Sequence, residues 1–234
     1  MTVLIIIALA IAWSIYTFML PEYIKKGGPL VIVLIMLSIM VVTYIFERIL
    51  ALRSATGTSS LVDFLRKVKQ LIDAGKINDA ISLCDKQRGS AANVLRAGLE
   101  KYKILQASGR QLEQKEMMDE IQASINDSMM LEVPLLEKNL VVLSTIASIA
   151  TLVGLLGTTI GMIRAFKALA QSGAPDAIQL SVGISEALIN TAGGLLTAIM
   201  GIVSYNYFAT RIDNFTYMID EASISVTQTL SEKR

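Results

Sequence analysis

The chain has 234 residues, 53% of them hydrophobic and 18% charged, with a formal net charge of +1 and no histidine. A mean hydropathy of +0.55 is too high for an ordinary soluble domain and suits a polytopic membrane protein, while the near-neutral charge argues against nucleic acid as the main partner. The missing histidine removes imidazole general bases, Ser-His and Cys-His dyads and the commonest metal ligand; the single cysteine, Cys84, cannot form an internal disulfide and is expected to be a buried, inert thiol.

Residues 3–20, "VLIIIALAIAWSIYTFML", run without a charge to Pro21. About 18 residues is a marginal length for a span. The stretch lacks a basic leading region and a small-x-small cleavage site, so a cleaved signal peptide is not expected. It is expected to be an extra transmembrane helix, with an amphipathic or signal-anchor role as the alternative. The polar link "PEYIKKGG" leads into a second span, "PLVIVLIMLSIMVVTYIF", closed by Glu47 and Arg48. Trp13, Tyr16, Tyr23 and Tyr44 lie toward the ends of these runs, where interfacial aromatics belong.

From about Arg53 to Lys138 charged residues become frequent and the apolar residues take a helical period. "SSLVDFLRKVKQLIDAG" opens on Ser60-x-x-Asp63, close to a capping box, and stops at Gly75. "KINDAISLCDKQRG" and "SAANVLRAGLEKYKIL" read as a second and a third helix. After the break "QASGR", residues 111–139 read as one long amphipathic helix that Pro134 can kink. No segment alternates as a strand does.

A third span, 140–163, contains "STIASIATLVGLLGTTIGMI"; the fourth runs from Ala177 to Thr210, with Glu186 its only ionisable side chain in about 34 residues. At 1.5 Å per residue that is about 50 Å, more than the roughly 30 Å of a hydrocarbon core, so the last helix should outrun the bilayer and continue into the polar tail. The resulting plan is 1–28, extra hydrophobic helix and link; 29–52, transmembrane; 53–138, helical cytoplasmic domain; 139–165, transmembrane; 166–176, loop on the opposite side; 177–210, transmembrane; 211–234, cytoplasmic tail. The soluble region and the tail share one side by parity. Most Lys and Arg lie there, which favours the cytoplasm, although Lys25, Lys26, Arg164 and Lys167 fall on the other side.

The polar residues of the last two spans carry the chemistry. On a helical wheel Ser144, Ser148, Thr151 and Thr158 share a face to within roughly 40°, which fits either a pore or a tight helix interface. Glu186, Asn190, Gly193, Thr197, Gly201 and Ser204 share another to within roughly 60°, with Thr191 well off it. Gly154, Gly157 and Gly161 on one span and Gly193, Gly194 and Gly201 on the other let two backbones approach closely. An ionised carboxylate in hydrocarbon costs roughly 2.5–3.5 kcal/mol on insertion scales. Isolation favours the neutral acid, and water or an approaching cation favours the charged form, a switchable state that can relay protons. No basic residue lies within helical reach of Glu186, so a structural ion pair is not expected; a position in contact with water at the outer interface is the plain alternative.

"GLLGTTIGMIRAF" (154–166) and "GISEALINTAGGLLTAI" (183–199) resemble the paired signature of the ExbB/TolQ/MotA proton-channel subunits, closest to ExbB and TolQ. The pattern G-I-x-E-A-L-x-x-T-A-x-G-L is matched at every fixed position. The likeness extends to "GGPLVIVLIMLSIMVVTYIFERI" and, more weakly, to "DAISLCD" and "VLRAGL". It implies an all-α membrane protein of three family spans plus the extra N-terminal helix, assembled as an inner-membrane homopentamer around a central pore. That pore would hold a dimer of ExbD- or TolR-like single-span subunits, with a TonB-like protein as a further contact. Carried over by motif position, Thr158, Glu186 and Thr191 would face the partner, with Ser148, Thr151, Asn190 and Thr197 along the same stripes. The counterpart of Glu186 would then come from protons, water and another subunit. Proton flow would drive motion of the partner and energise TonB-dependent transport or a related envelope process.

Two features depart from the pattern: Met200 and Gly201 stand where many relatives carry Pro, and residues 3–20 are additional. A non-conducting membrane scaffold and a sodium-driven motor remain as alternatives, since a carboxylate with hydroxyls also suits a hard cation. No nucleophile motif or nucleotide-binding glycine loop points to an enzyme, and no cofactor or metal is expected.

Overall fold

The computed structural model describes residues 2–108, 113–170 and 176–232. The predicted break at 106–110 and the loop at 166–176 therefore lie partly outside the described residues. Everything described is helix or short connection: α1 (Thr2–Phe18), α2 (Glu22–Lys25), α3 (Leu30–Thr56), α4 (Leu61–Asp73), α5 (Ile77–Gln87), α6 (Ser90–Ala107), α7 (Gln114–Glu137), α8 (Leu140–Ala170) and α9 (Ala177–Glu232). Three helical stretches, within Leu30–Asp73, Gln114–Ala170 and Ala177–Ser231, are long and apolar enough to cross a membrane, and α1 is a shorter apolar helix. Helices suit lipid because every internal backbone group is satisfied within the segment.

The described chain divides into two compact units. One takes the residues up to Glu47 together with Asn139–Phe208; the other takes Arg48–Lys138 and the residues from Ala209 onward.

In the first unit, α1 buries Ala8 and Ala12, one turn apart, and leaves Val3, Ile6, Trp13 and Phe18 exposed. Its 17 residues measure about 25 Å at 1.5 Å each. The link to α3 is tied at both ends, Tyr16 Oη donating to the Lys25 carbonyl and Lys25 Nζ to the Thr17 carbonyl, each at 3.3 Å. Gly28, at φ +73°, makes the turn into α3 in a conformation that L side chains avoid. The centre of the unit is the seam between α8 and α9. A Cβ on Gly161 would lie 2.7 Å from Ala187 N and from Gly183 O, and one on Gly194 would lie 2.6 Å from Ala150 O. Only glycine permits that approach, which is how small residues bring membrane helices together.

In the second unit α4 to α7 pack in succession. Phe64, Val68 and Ile72 of α4, Leu95 and Leu99 of α6, and Ile121 and Ile125 of α7 are buried, the period read from the sequence. Helix α4 ends at Gly75, φ +73°, as expected. The predicted capping box is absent: Ser60 occupies the N-cap position without a side-chain cap bond, and Asp63 instead accepts from Arg66 Nη2 at 2.7 Å. The turn before α4 is held by Gln87, whose Nε2 donates to the Thr56 and Ser59 carbonyls at 2.9 Å each. Helix α7 runs through Pro134 to Glu137, and the backbone turns at Asn139, φ +67°. Helix α9 continues as a single helix to Glu232.

Candidate functional site: a carboxylate across the glycine seam

Glu186 lies 97% buried, nine residues into α9, and the structure gives it what the sequence reading did not expect. Arg164 on α8 donates from Nη1 to both carboxylate oxygens, at 2.6 Å to Oε1 and 2.5 Å to Oε2. The expectation that this carboxylate has no basic partner in its own chain is therefore wrong. Helical reach along α9 was the wrong distance to count, because the partner comes across the seam. Gly183 and Gly161 hold the two backbones close enough for the pair to form: a Cβ on Gly183 would sit 2.7 Å from Ala165 N and 2.8 Å from Gly161 O. The two ends of the pair differ. The Glu186 side chain is 4% exposed and the Arg164 side chain 56% exposed, so the carboxylate is enclosed and the guanidinium is its outer cover.

The turn before α3 closes the other side. A Cβ on Gly28 would stand 2.8 Å from Glu186 Oε1, so a side chain there would displace the carboxylate. Asn190, one turn beyond Glu186 and fully buried, donates from Nδ2 to the Gly27 carbonyl at 2.8 Å and to the Glu186 carbonyl at 3.0 Å. It ties α9 to the turn, and its Oδ1 is buried with no hydrogen-bond partner. Gly157 faces this amide so closely that any side chain there would collide with the Asn190 Cβ. Two turns further, Thr197 is fully buried; its hydroxyl donates to the Gly193 carbonyl at 3.0 Å and lies 2.6 Å from Ser38 Oγ of α3.

The polar stripe of α9 is thus enclosed within the chain, Glu186 and Asn190 against residues 27 and 28 and Thr197 against α3. Thr191, off that stripe as the wheel predicts, is half-buried and donates to the Ala187 carbonyl at 3.1 Å. The hydroxyl stripe of α8 is uncovered. Ser148 and Thr151 are exposed and Ser144 and Thr158 half-buried; Ser144 and Ser148 donate at 3.0 Å, Thr151 at 3.1 Å and Thr158 at 2.6 Å to carbonyls three or four residues back. Such bonds use the hydroxyl hydrogen and leave the oxygen able to accept. Leu152, Leu155, Leu156 and Ile163 are exposed on the same helix. Among the described residues no group of His, Cys, Asp and Glu could hold a metal ion.

Known proteins are similar to this part of the chain. A family model described as the MotA/TolQ/ExbB proton channel family matches residues 86–221, which takes in α8 and the carboxylate-bearing part of α9. The chain belongs to the MotA/TolQ/ExbB proton channel family. Within it, the Tol-Pal system protein TolQ of Pseudomonas aeruginosa is 30% identical over 193 residues, 80% of this chain and 81% of that protein. The biopolymer transport protein ExbB of Pseudomonas putida is 40% identical over 85 residues, 36% of this chain and 26% of that protein. The TolQ of Haemophilus influenzae is 40% identical over 92 residues, 38% of this chain and 40% of that protein. Membership makes the chain a multi-pass inner-membrane transport protein and not an enzyme.

Residues Arg164, Gly27, Gly28 and Ser38 are the parts of the site that the sequence reading missed. For Arg164 a signal existed: it lies three residues from Gly161 and seven from Gly157, on the glycine face of α8. Nothing local marked Ser38 as the partner of Thr197.

Proposed function

We propose that this chain is the pore-forming subunit of a proton-driven inner-membrane motor. Five copies surround the single transmembrane helices of two ExbD/TolR-like subunits, with a TonB-like protein as a further contact. Proton movement past Glu186, Thr158 and Thr191 drives the partner helices and energises TonB-dependent outer-membrane transport or a related envelope process. Ser148 and Thr151 extend the path along α8. Asn190 and Thr197 contribute from inside the chain, Asn190 by setting the backbone at Glu186. The soluble helices α4–α7 lie on the cytoplasmic side, and α1 adds a further membrane-embedded helix.

The observation that carries this reading is the buried Glu186 carboxylate of the family motif, covered on its open side by one guanidinium alone. A carboxylate in that position is costly to keep in an apolar helix, and one reachable by displacing a single half-exposed side chain can exchange a proton with water or a partner. The same ion pair also favours a second reading, a non-conducting scaffold in which Arg164 and Glu186 only lock α8 to α9.

Glu186→Gln separates the two. In a host lacking its own ExbB and TolQ, the motor reading expects the variant to assemble with its partner, judged by size-exclusion chromatography, and to lose proton-motive-force-dependent work. Work that persists in an assembled Glu186→Gln complex supports the scaffold.

A further inference from the structure

We propose that Arg164 is the electrostatic barrier of the resting channel, a positioning residue that keeps the Glu186 carboxylate paired and closed to passing cations until the working cycle moves the guanidinium aside. This rests on the proton-channel reading of Glu186 and gives a role to a residue to which the family resemblance assigned none.

The geometry argues it in three steps. First, one nitrogen of Arg164 spans both carboxylate oxygens, at 2.5 and 2.6 Å, so while it stays there neither oxygen is free to bind a proton on that side. The other approaches are closed by packing: Glu186 is 3% exposed, the turn at Gly28 leaves no room for a Cβ beside Oε1, and Asn190 holds the Gly27 carbonyl and α9 together at 2.8 and 3.0 Å. Second, a guanidinium held beside the proposed proton path repels protons and metal cations alike, as positive groups do in pores that exclude them. Third, the pair is asymmetric. Glu186 is confined at 4% side-chain exposure while Arg164 is 56% exposed, so the guanidinium is the member that can leave, swinging outward on a long flexible stem. Buried partners of a broken charge pair are left at high energy, so release needs a replacement charge at Glu186. A proton supplies it. The barrier and the carrier site are then one element with two states: Arg164 on Glu186, or a proton on Glu186 with Arg164 outside.

The full complex, reconstituted with its ExbD/TolR-like partner into liposomes, tests this under a potassium-valinomycin potential with an internal pH dye. Arg164→Gln is expected to raise passive proton entry by roughly tenfold or more, and Arg164→Lys, which keeps the charge, to stay within about twofold of wild type. Adding Glu186→Gln to Arg164→Gln should return the leak to baseline, because the carrier is gone. Charge can also be restored after folding. Cys84, the chain's single cysteine, is buried and its thiol is pushed up to about 12 by that burial, so each copy of the Arg164→Cys chain has one reactive thiol. Aminoethyl methanethiosulfonate, which adds an ammonium, should close the leak; methyl methanethiosulfonate, which adds none, should not.

The proposal is overturned if Arg164→Gln and Arg164→Cys leak no more than wild type, if Lys and Gln leak equally, or if neither neutral variant assembles, which would make the guanidinium a structural tie. The channel reading fails separately. If an assembled Glu186→Gln complex still performs its work, that reading is lost whatever Arg164 does; if Glu186→Gln stops work and Arg164→Gln does not leak, the barrier alone is wrong.

Discussion

Replacing Gly161 by Ala asks whether the seam that positions the ion pair is as close as the structure has it. The new methyl would sit 2.7 Å from Ala187 N and from Gly183 O and 2.9 Å from Ala187 Cα. All three are backbone atoms inside a continuous helix, so none can swing aside. Heavy-atom contacts relax near about 3.5 Å, which requires α8 and α9 to part by about 0.8 Å at this point. A gap of that size forfeits roughly a quarter to a half of the dispersion well of each neighbouring contact it opens. Overpacking of this kind costs about 1–3 kcal/mol, against about 1 kcal/mol gained because Ala suits a helix better than Gly. The net expectation is a loss of about 1–2 kcal/mol. Gly193→Ala is the internal control: the nearest atom is Leu34 Cδ1 at 3.2 Å, the free end of a side chain that can turn. That variant should be neutral or up to about 1 kcal/mol more stable. Reversible unfolding in mixed detergent micelles, followed by circular dichroism against SDS fraction, measures both. Equal midpoints, or a Gly161→Ala protein more stable than Gly193→Ala, would refute the close seam.

Three further outcomes are expected. Gln87→Leu removes both donors to the Thr56 and Ser59 carbonyls and the acceptor of the Ser59 hydroxyl; it should destabilise the α4–α7 unit by about 2–4 kcal/mol in urea unfolding. Cys84 is raised to about 12, so it is protonated throughout the physiological range: iodoacetamide at pH 8 should leave the folded protein unlabelled and modify it fully in denaturant, as mass spectrometry would show. Ser38→Ala and Thr197→Val remove the two sides of one hydroxyl pair 2.6 Å apart, and a double-mutant cycle of unfolding free energies should return a coupling near 0.6 kcal/mol and below about 1.7 kcal/mol.

The spans and the helical unit were legible because each depends on residues close in sequence. Long apolar runs mark α3, α8 and α9, a shorter one marks α1, and the 3.6-residue period marks α4 to α7. The common face of Glu186, Asn190, Thr197 and Gly201 was also legible, and the structure buries all four. What that face meets was not, because the register of α9 against residues 27 and 38 is fixed by packing between segments about 160 positions apart. Arg164 was in plain view inside the signature and was assigned to the outer side as a loop-flanking charge. Its proximity to Gly157 and Gly161 on one helix face carried more information than its distance from Glu186 along the chain. Ser60 failed as a cap for a local reason: Asp63 is drawn to Arg66 three residues on, and the turn is stabilised by a side chain from α5.

The central claim is that this chain builds a pore around a partner, and its mass tests that most directly. Native mass spectrometry of the detergent-solubilised protein, co-expressed with an ExbD/TolR-like subunit of the same organism, should return five copies of the chain with two of the partner. A monomer or dimer retaining no partner in several mild detergents would contradict it, leaving the hydroxyl stripe of α8 and the Arg164–Glu186 pair as packing devices.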